Sequence, residues 1–231
     1  MTDTDRAVIL VSGGMDSATA VYEAMERGYE PYLLHTSYGQ NTEDREYECA
    51  RALADEVDAA DFLHVDTEHL AAIGESSLTD DAVKVGEADM ESDEIPASYV
   101  PFRNANLLSM ATSYAEANDC DAVFVGAHSE DYSGYPDCRP EFFDAFQKVI
   151  DIGTKPETSI DLLPPFVDWT KTEIAERGLD LDVPYELTWS CYRDEEPACG
   201  TCDACAYRLK AFQDIGMKDP IRYRERPCYS D

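Results

Sequence analysis

A glycine- and hydroxyl-rich hexapeptide near the N-terminus constrains the fold of this chain more than any other feature. Ser12-Gly13-Gly14-Met15-Asp16-Ser17 follows the apolar run Ala7 to Val11 and leads into a helix-compatible segment from Ala18 to Arg27. Strand, tight turn and helix in this order place backbone N–H groups and the positive helix end around one point. Two adjacent glycines let an anion approach the backbone closely. The stretch predicts a phosphate-binding loop, with a simple helix-capping turn as the alternative.

The loop lacks the Gly-Lys-Ser/Thr ending of a Walker A motif, so γ-phosphoryl transfer is not predicted. Asp16 is an anion, and we expect it to hold Mg²⁺ between phosphate oxygens. The pattern Ser-Gly-Gly-x-Asp-Ser resembles the loop of the PP-loop ATP pyrophosphatases, which bind the leaving pyrophosphate of ATP while a substrate oxygen is adenylated. The resemblance implies that ATP is a substrate and that residues Val11 to Ser17 contact it.

Apolar runs alternate with amphipathic helical segments along most of the chain. After the first strand, further strands are predicted at residues 32–36, 62–65, 122–126 and 160–166, with helices at 17–27, 41–57, 104–118 and 170–177. This alternation predicts an α/β fold with a doubly wound parallel five-stranded sheet. We expect residues 1–182 to form this ATP-binding domain and residues 183–231 a small module packed on it. The acidic stretch from Thr67 to Ile95 is predicted to be a lid or, equally, a surface insertion.

The charge balance is extreme, with 49 Asp and Glu against 18 Lys and Arg in 231 residues and a formal net charge of -31. The acids are spread along the chain, which indicates a coated surface rather than an acidic tail. Because molar salt screens such self-repulsion, we interpret the chain as a halophile's cytoplasmic protein, with a basic partner as the alternative. No apolar stretch of transmembrane length and no secretory signal pattern occurs, so neither is expected.

Four of the eight cysteines crowd near the C-terminus: Cys191, Cys199, Cys202 and Cys205. In an intracellular chain such a cluster indicates metal before disulfides. Four thiolates form the closed tetrahedron that Zn²⁺ prefers in structural sites. An iron–sulfur cluster, whose common motifs are spaced differently, and a redox thiol pair are the alternatives. Structural zinc is predicted, followed by a helix from Asp203 to about Ile215.

A polar segment from His128 to Phe142 follows the fourth predicted strand, where parallel α/β sheets bind ligands. A planar heterocycle could stack there on Tyr132 or Tyr135 while carboxylates accept its N–H groups; a polar turn is the alternative. Arg103 begins a predicted helix, where a cation opposes the helix dipole, so an anionic ligand would explain it; an ordinary surface arginine is the alternative.

Five segments together resemble the 7-cyano-7-deazaguanine synthase family: Ser12 to Ser17, Tyr38 to Gln40, Val100 to Asn104, Glu130 to Phe142 and Glu186 to Cys191. The resemblance covers about residues 7 to 220, and the run around Tyr132 is its most specific part. Met15 and Phe102 depart mildly from the family pattern. The resemblance implies an ATP-dependent ligase that converts 7-carboxy-7-deazaguanine and ammonia into 7-cyano-7-deazaguanine, a precursor of queuosine and archaeosine, releasing AMP and pyrophosphate.

The resemblance also implies roles for individual residues. Asp16, Arg103 and Lys171 are the candidate catalytic residues, although a surface lysine is the simpler interpretation of Lys171. The nucleotide is expected to contact Val11, Ser12, Gly13, Gly14, Met15, Asp16, Ser17, Tyr38, Gly39 and Gln40. The deazaguanine is expected to contact Arg103, Asn104, Asp131, Tyr132, Ser133, Gly134, Asp137 and Arg139. Structural Zn²⁺ and a homodimer are implied as well.

Two other functions remain open from the sequence. A tRNA-modifying enzyme that adenylates a base would need a basic nucleic-acid surface, which the net charge disfavours. A zinc-knuckle binding module without catalysis would leave the Ser12 to Ser17 loop incidental. Direct contact with nucleic acid or with a membrane is not expected.

Overall fold

One parallel sheet forms the centre of the molecule. The computed structural model describes residues 4–74, 76–80, 82–90, 94–131 and 134–230. Within these ranges the sheet has five strands: β1 (Arg6–Leu10), β2 (Glu30–Ser37), β3 (Asp61–Asp66), β4 (Ala122–Phe124) and β5 (Asp161–Leu163). Their order is β3-β2-β1-β4-β5, and every neighbouring pair is parallel. The predicted doubly wound sheet is confirmed.

Helices cover both faces of this sheet. The described helices are α1 (Met15–Glu26), α2 (Glu43–Glu56), α3 (His69–Ile73), α4 (Arg103–Ala117), α5 (Pro140–Gly153), α6 (Lys171–Asp180) and α7 (Asp203–Asp214). None of the helices in the described ranges is long and apolar enough to cross a membrane.

Alternate residues of β1 pack into two separate hydrophobic cores, because successive side chains of a strand point to opposite faces of the sheet. Ala7 and Ile9 pack in one buried cluster with residues of α1, α2, α6 and α7. Val8 and Leu10 pack in the other with residues of α4 and α5. From Ala7 to Leu10, β1 is therefore buried on both faces, which explains the uninterrupted apolar sequence there.

The strand order changes direction at β1, although all strands are parallel. β2 and β3 extend the sheet on one side, whereas β4 and β5 extend it on the other. Ligands of open α/β sheets bind in the crevice at such a switch point. Gly126, after β4, lies so close to α1 that a Cβ placed on it would be 3.0 Å from the carbonyl carbon of Asp16.

The sequence prediction extends two strands too far and misses one helix. β5 covers three residues instead of 160–166 because Pro164 and Pro165, which lack N–H donors, follow it directly. β4 ends at Phe124 and does not reach residue 126. Helix α5 is not predicted from the sequence, because Pro140 and the turn-rich segment before it indicate a loop. Proline at the first helical position leaves no hydrogen bond unmade.

Much of the acidic stretch between residues 67 and 95 packs against the rest of the molecule. Leu70 and Leu78 are buried with Tyr38 and Val100 in a separate small cluster. The backbone N–H of Ala88 donates to the carbonyl of Thr201 at 2.8 Å. The described part of this stretch therefore joins the second strand's end to the cysteine-containing segment, and its function as a lid stays a prediction.

Candidate active site

The loop after β1 is held in shape by its own hydroxyl groups. The Ser17 hydroxyl donates to the Gly14 carbonyl at 3.0 Å and accepts the Ser12 N–H at 3.2 Å. The Gly14 N–H points to Ser12 Oγ at 3.3 Å. These bonds bend the chain from β1 into the N-terminus of α1, which is a ready-made anion site.

Gly13 cannot be replaced by a residue with a side chain without disturbing the loop. Its φ angle is +79°, and a Cβ there would lie 2.4 Å from the carbonyl oxygen of Glu46 in α2. The first glycine of the pair thus permits both the backbone angle and the close approach of the neighbouring helix. The sequence prediction of a tight glycine turn agrees with this geometry.

An ion pair lies at the start of α1. The Lys171 ammonium donates to Asp16 Oδ2 at 2.8 Å, with the two side chains only 11% and 20% exposed. The Lys171 nitrogen also lies 3.3 Å from His128 Nε2. Within the described residues, the second carboxylate oxygen, Asp16 Oδ1, is buried without a hydrogen-bond partner. A buried, unsatisfied carboxylate oxygen beside a phosphate-binding loop suits a divalent cation.

Asp16 and Lys171 each stabilise the charged form of the other. Burial by itself would raise the pKa of Asp16, but Lys171 and His128 together lower it below its usual value. Burial would likewise lower the pKa of Lys171, and Asp16 and Asp131 raise it instead. Both groups are therefore charged at neutral pH, and a cation is fixed close to the loop that is predicted to bind phosphates.

Lys171 is placed by a capping box at the start of α6. The Thr170 hydroxyl accepts the Glu173 N–H, and the Glu173 carboxylate accepts the Thr170 N–H at 2.7 Å. The backbone N–H of Lys171 donates to Glu130 at 2.9 Å, which ties α6 to the segment after β4. The side chain then extends into the cleft, which excludes the simpler interpretation of Lys171 as a solvated surface residue.

Arg103 also lines this cleft, where it lies among aromatic residues. Its guanidinium donates to the Tyr38 hydroxyl at 2.9 Å and lies 5.6 Å from the centre of that ring. Tyr135 and Tyr192 also line the cleft. No carboxylate among the described residues lies within 4.0 Å of this guanidinium, so its charge is available to an anionic ligand.

Asn104 connects the start of α4 to the segment after β4. Its backbone N–H donates to Asp137 Oδ2 at 2.8 Å, and its side-chain amide donates to the Asp137 carbonyl at 3.1 Å. The same amide lies 3.1 Å from Cys138 Sγ. Asp137 thereby accepts an otherwise unpaired N–H at a helix start, and it fixes the helix that carries Arg103.

The four clustered cysteines form a candidate metal centre. All four are buried, and their sulfur atoms lie within 4.8 Å of one another. Tetrahedral metal–sulfur bonds of about 2.3 Å place sulfur atoms about 3.8 Å apart, and Cys199 Sγ lies 3.9 Å from Cys205 Sγ. Backbone N–H groups of Arg193, Asp194 and Cys199 point at Cys191 Sγ from 3.3 to 3.4 Å. Such donors stabilise thiolates, so this donor set can hold a metal ion.

The segment that carries the cysteines is joined to the phosphate-binding loop. The Trp189 N–H donates to the Gly13 carbonyl at 2.8 Å, and the Thr42 hydroxyl donates to the Cys191 carbonyl at 3.1 Å. Arg208 of α7 is fully buried, pairs with Asp219 at 2.7 Å and donates to Thr188 at 2.7 Å. The C-terminal segment therefore supports one wall of the cleft.

The model of the family described as "Queuosine biosynthesis protein QueC" matches residues 6–216. The chain belongs to this family. A 7-cyano-7-deazaguanine synthase from Haloarcula marismortui is 76% identical over 232 aligned residues, which cover 100% of both chains. Another, from Halobacterium salinarum, is 70% identical over 97% of this chain and 98% of the relative. Relatives from Haloarcula and Halobacterium fit the halophilic character predicted from the charge.

A solved structure shares the architecture of this QueC family member. An NMN synthetase from Francisella tularensis aligns with a TM-score of 0.51 at 17% identity, covering 93% of this chain and 79% of that chain. At this identity the likeness concerns the fold alone, and it agrees with the α/β architecture predicted for the chain.

Most of the predicted site residues of this QueC protein meet in one cleft. Those that line it are Val11, Ser12, Gly14, Asp16, Ser17, Tyr38, Gln40, Arg103, Asn104, Asp131 and Lys171. Met15 instead points into the core and is fully buried. Also outside the lining are Gly13, Gly39, Gly134, Asp137 and the exposed Arg139. Tyr132 and Ser133 fall outside the residues that the structure describes.

Sequence reasoning missed several residues of the cleft. Glu46 and Tyr192 line it but lie outside the recognised motifs. Ser190 and His128 also line it, and both lie in recognised segments in which they were not assigned a role. His128 could have been found as the polar residue nearest the end of β4, since strand ends meet in the crevice. Glu46 carries no such signal, because it is one acid among many on α2.

Proposed function

We propose that this chain is an ATP-dependent ligase that converts 7-carboxy-7-deazaguanine and ammonia into 7-cyano-7-deazaguanine. The observation that carries the proposal is that one cleft holds both a phosphate-binding loop and Arg103, a cation without a carboxylate partner among the described residues. A nucleotide and an anionic substrate can thus lie side by side. The names of the two relatives from Haloarcula and Halobacterium support the same reaction.

Adenylation is the chemical reason for ATP in this reaction. A carboxylate is a poor electrophile because its leaving group would be oxide. One carboxylate oxygen attacks the α-phosphorus of ATP, and the bond to pyrophosphate breaks. Ammonia then attacks the acyl carbon, the bond to AMP breaks, and an amide remains. In a second round the amide oxygen is adenylated, and loss of AMP with two protons leaves the nitrile.

The loop and Lys171 would stabilise the phosphates during both rounds. Ser12, Gly14 and Ser17 line the cleft at the helix start, where a phosphate would replace the hydrogen bonds that their donors make within the loop, and the Lys171 ammonium lies beside them. Mg²⁺, when bound, would neutralise charge on the phosphate oxygens, and Asp16 Oδ1 is the unsatisfied oxygen fit to hold it. Catalysis then consists of positioning and charge stabilisation, without a covalent enzyme intermediate.

The deazaguanine carboxylate would be oriented by Arg103. Asn104 lies next to it on α4, and Asp131 lies across the cleft near His128. A carboxylate such as Asp131 can accept N–H groups of the heterocycle, and the rings of Tyr135 and Tyr192 offer stacking surfaces. The predicted contacts of Tyr132, Ser133, Gly134, Asp137 and Arg139 with the substrate stay proposals of this scheme.

Zn²⁺ is the metal that we assign to the four cysteines. Four buried thiolates leave no open position for a water, so the site would stabilise the fold of residues 183–231 and would not act on the substrate. Measured zinc content of about one ion per chain, lost in a cysteine variant, is the expected result. Iron with visible absorption would contradict the assignment.

A homodimer is supported by an exposed apolar patch at the start of α4 and along α5. Phe102, Val149 and Ile152 are 60%, 54% and 85% exposed, and Phe102 contacts the ring of Phe142. An apolar patch of this kind on a highly charged protein favours association with a second copy. Light scattering in high salt should give twice the mass of the chain, and Ile152→Asp should lower it to that of a monomer.

The reaction can be tested with the purified protein. Incubation in high salt with ATP, Mg²⁺, ammonium and 7-carboxy-7-deazaguanine should yield the mass of the nitrile, together with AMP and pyrophosphate. Omission of the deazaguanine should stop AMP release. Formation of ADP, or no nitrile under any of these conditions, would contradict the proposed function.

A further inference from the structure

Three carboxylates line the cleft in the part of the chain that the structure describes: those of Asp16, Glu46 and Asp131. Asp16 is paired with Lys171, and Asp131 lies 3.5 Å from His128 Nε2. Glu46 has no Lys, Arg or His nitrogen within 4.0 Å among the described residues. A carboxylate that faces a cleft without a basic partner costs free energy and is a candidate for a functional group.

Neutral donors hold the Glu46 carboxylate in one orientation. The Gln40 amide donates to Oε2 at 3.0 Å. The Thr42 hydroxyl lies 2.8 Å from Oε1 and 3.1 Å from the Cys191 carbonyl, so its one proton is shared between these two acceptors. Gln40 is itself fixed, because its Oε1 accepts the Tyr38 N–H at 2.8 Å. Each carboxylate oxygen keeps a further acceptor position, which a positively charged ligand can use.

Glu46 lies next to the positions proposed for both reactants. Its backbone carbonyl abuts Gly13 of the phosphate-binding loop. The Glu46 side chain lines the same cleft as Arg103. The guanidinium of Arg103 is close enough to lower the pKa of Glu46 against the effect of burial. A substrate carboxylate that is adenylated over the loop while it contacts Arg103 would therefore lie within the same enclosure as Glu46.

The protonation of Glu46 suits proton transfer near neutral pH. Burial raises the pKa of Glu46 to about 7, although the bonds from Gln40 and Thr42 and the charge of Arg103 act in the opposite direction. Glu43 on the same helix raises it further, and Tyr38 and Cys49 are the other titratable groups near it. A base is most effective when its pKa lies near the working pH.

We propose that Glu46 is the catalytic base that binds ammonium in the cleft and removes a proton from it before the attack on the adenylated carboxylate. This inference rests on the proposed function. One N–H bond of NH₄⁺ breaks and its proton passes to a Glu46 oxygen. The nitrogen lone pair then forms the C–N bond while the C–O bond to AMP breaks, and the amide nitrogen loses its extra proton to water.

The variant Glu46→Gln separates this role from a purely structural one. Glutamine keeps an oxygen acceptor and nearly the same shape, but it cannot take the proton. Three rates should be measured in high salt: pyrophosphate exchange into ATP that depends on 7-carboxy-7-deazaguanine, amide formation with ammonium, and hydroxamate formation with hydroxylamine. Hydroxylamine is largely unprotonated at neutral pH, so it needs no base. The matched control is Glu48→Gln, an exposed acid on the same helix.

The expected result is a selective loss. Glu46→Gln should lower ammonium-dependent amide formation by about 100-fold, as for a lost general base, while pyrophosphate exchange and hydroxamate formation stay within about twofold of wild type and of the Glu48→Gln control. Equal loss of all three rates, a raised KM for ATP alone, or no loss at all would overturn the role of Glu46. Wild-type exchange that depends on the deazaguanine tests the proposed function separately.

Discussion

Cations in the cleft stand out against the acidic surface of this molecule. The chain has 18 Lys and Arg against 49 acids, yet Arg103 and Lys171 both line the cleft and are largely shielded from solvent. Positive groups with low-dielectric walls attract anions even when the protein as a whole repels them. We therefore expect the binding of ATP to a protein of such net charge to depend on these few residues.

Replacement of Lys171 tests this dependence. In Lys171→Met the Asp16 carboxylate loses its partner, so the pKa of Asp16 should rise and a charge beside the phosphates is lost. We expect pyrophosphate exchange to fall by about 100-fold or more, as when one preorganised charge stabiliser is removed. Lys148→Met, which removes an exposed lysine of α5, should leave the rate unchanged. Equal activity of both variants would contradict a role of Lys171 in catalysis.

The residues of the site differ in how readily the sequence alone identifies them as functional. Asp16 and Arg103 lie in short motifs with a distinctive context, and both line the cleft as expected. Lys171 resembled a surface residue, because only the folded chain brings α6 beside α1. Glu46 could not be distinguished from the solvated acids around it, since a high density of acids hides a buried one.

At the scale of elements, Gly13 determines how closely α2 approaches the loop. An alanine there would meet the Glu46 carbonyl as well as an unfavourable φ. Gly28 has a similar φ of +93°, but a Cβ placed on it would meet no atom of the described residues within 4 Å. Gly28→Ala should therefore cost about 1–2 kcal/mol of unfolding free energy, the cost of the backbone angle.

Gly13→Ala should destabilise the protein more than Gly28→Ala and should also abolish ATP binding. The additional effect comes from the displacement of α2 or of the loop by the new methyl group. Chemical denaturation in high salt and isothermal titration with ATP measure the two consequences. A Gly13→Ala protein that binds ATP as the Gly28→Ala control does would show that the loop tolerates the change.

The sequence predicted best those elements that have a regular pattern of apolar residues and also residues that mark where the element begins or ends. α6 has the Thr170 and Glu173 capping box, and β1 is apolar without interruption after its first residue, Arg6. α5 has the helical spacing of Phe143, Phe146 and Ile150, but Pro140 and the preceding turns conceal its start. The short strand β5 is limited by two prolines, which an apolar run alone does not reveal.

For the whole molecule, the cysteine cluster should couple fold stability to activity. Cys202→Ser should lose the bound metal and lower the free energy of unfolding by about 4 kcal/mol or more, as expected for loss of a structural metal. Because Trp189 contacts Gly13, ATP binding should weaken as well. Cys228→Ser, an exposed cysteine outside the cluster, is the control. Metal content and thermal unfolding that match this control would refute a structural site.

Salt should stabilise the entire molecule. With a net charge of -31, repulsion between surface acids is strong at a screening length of about 10 Å in 0.1 M salt and weak at about 3 Å in 1 M salt. The thermal midpoint should rise with KCl concentration, by about 2–4 °C for each kcal/mol gained in a chain of this size. A midpoint that does not change between these concentrations would contradict the halophilic interpretation.

The most direct test of the central claim follows the substrate's oxygen atoms. 7-Carboxy-7-deazaguanine with both carboxylate oxygens replaced by ¹⁸O is incubated with ATP, Mg²⁺ and ammonium in high salt, and the AMP is analysed by mass spectrometry. If one cleft adenylates first the carboxylate and then the amide, each nitrile formed should be accompanied by two AMP molecules that carry one ¹⁸O each. Unlabelled AMP, labelled pyrophosphate or release of ADP would contradict the account.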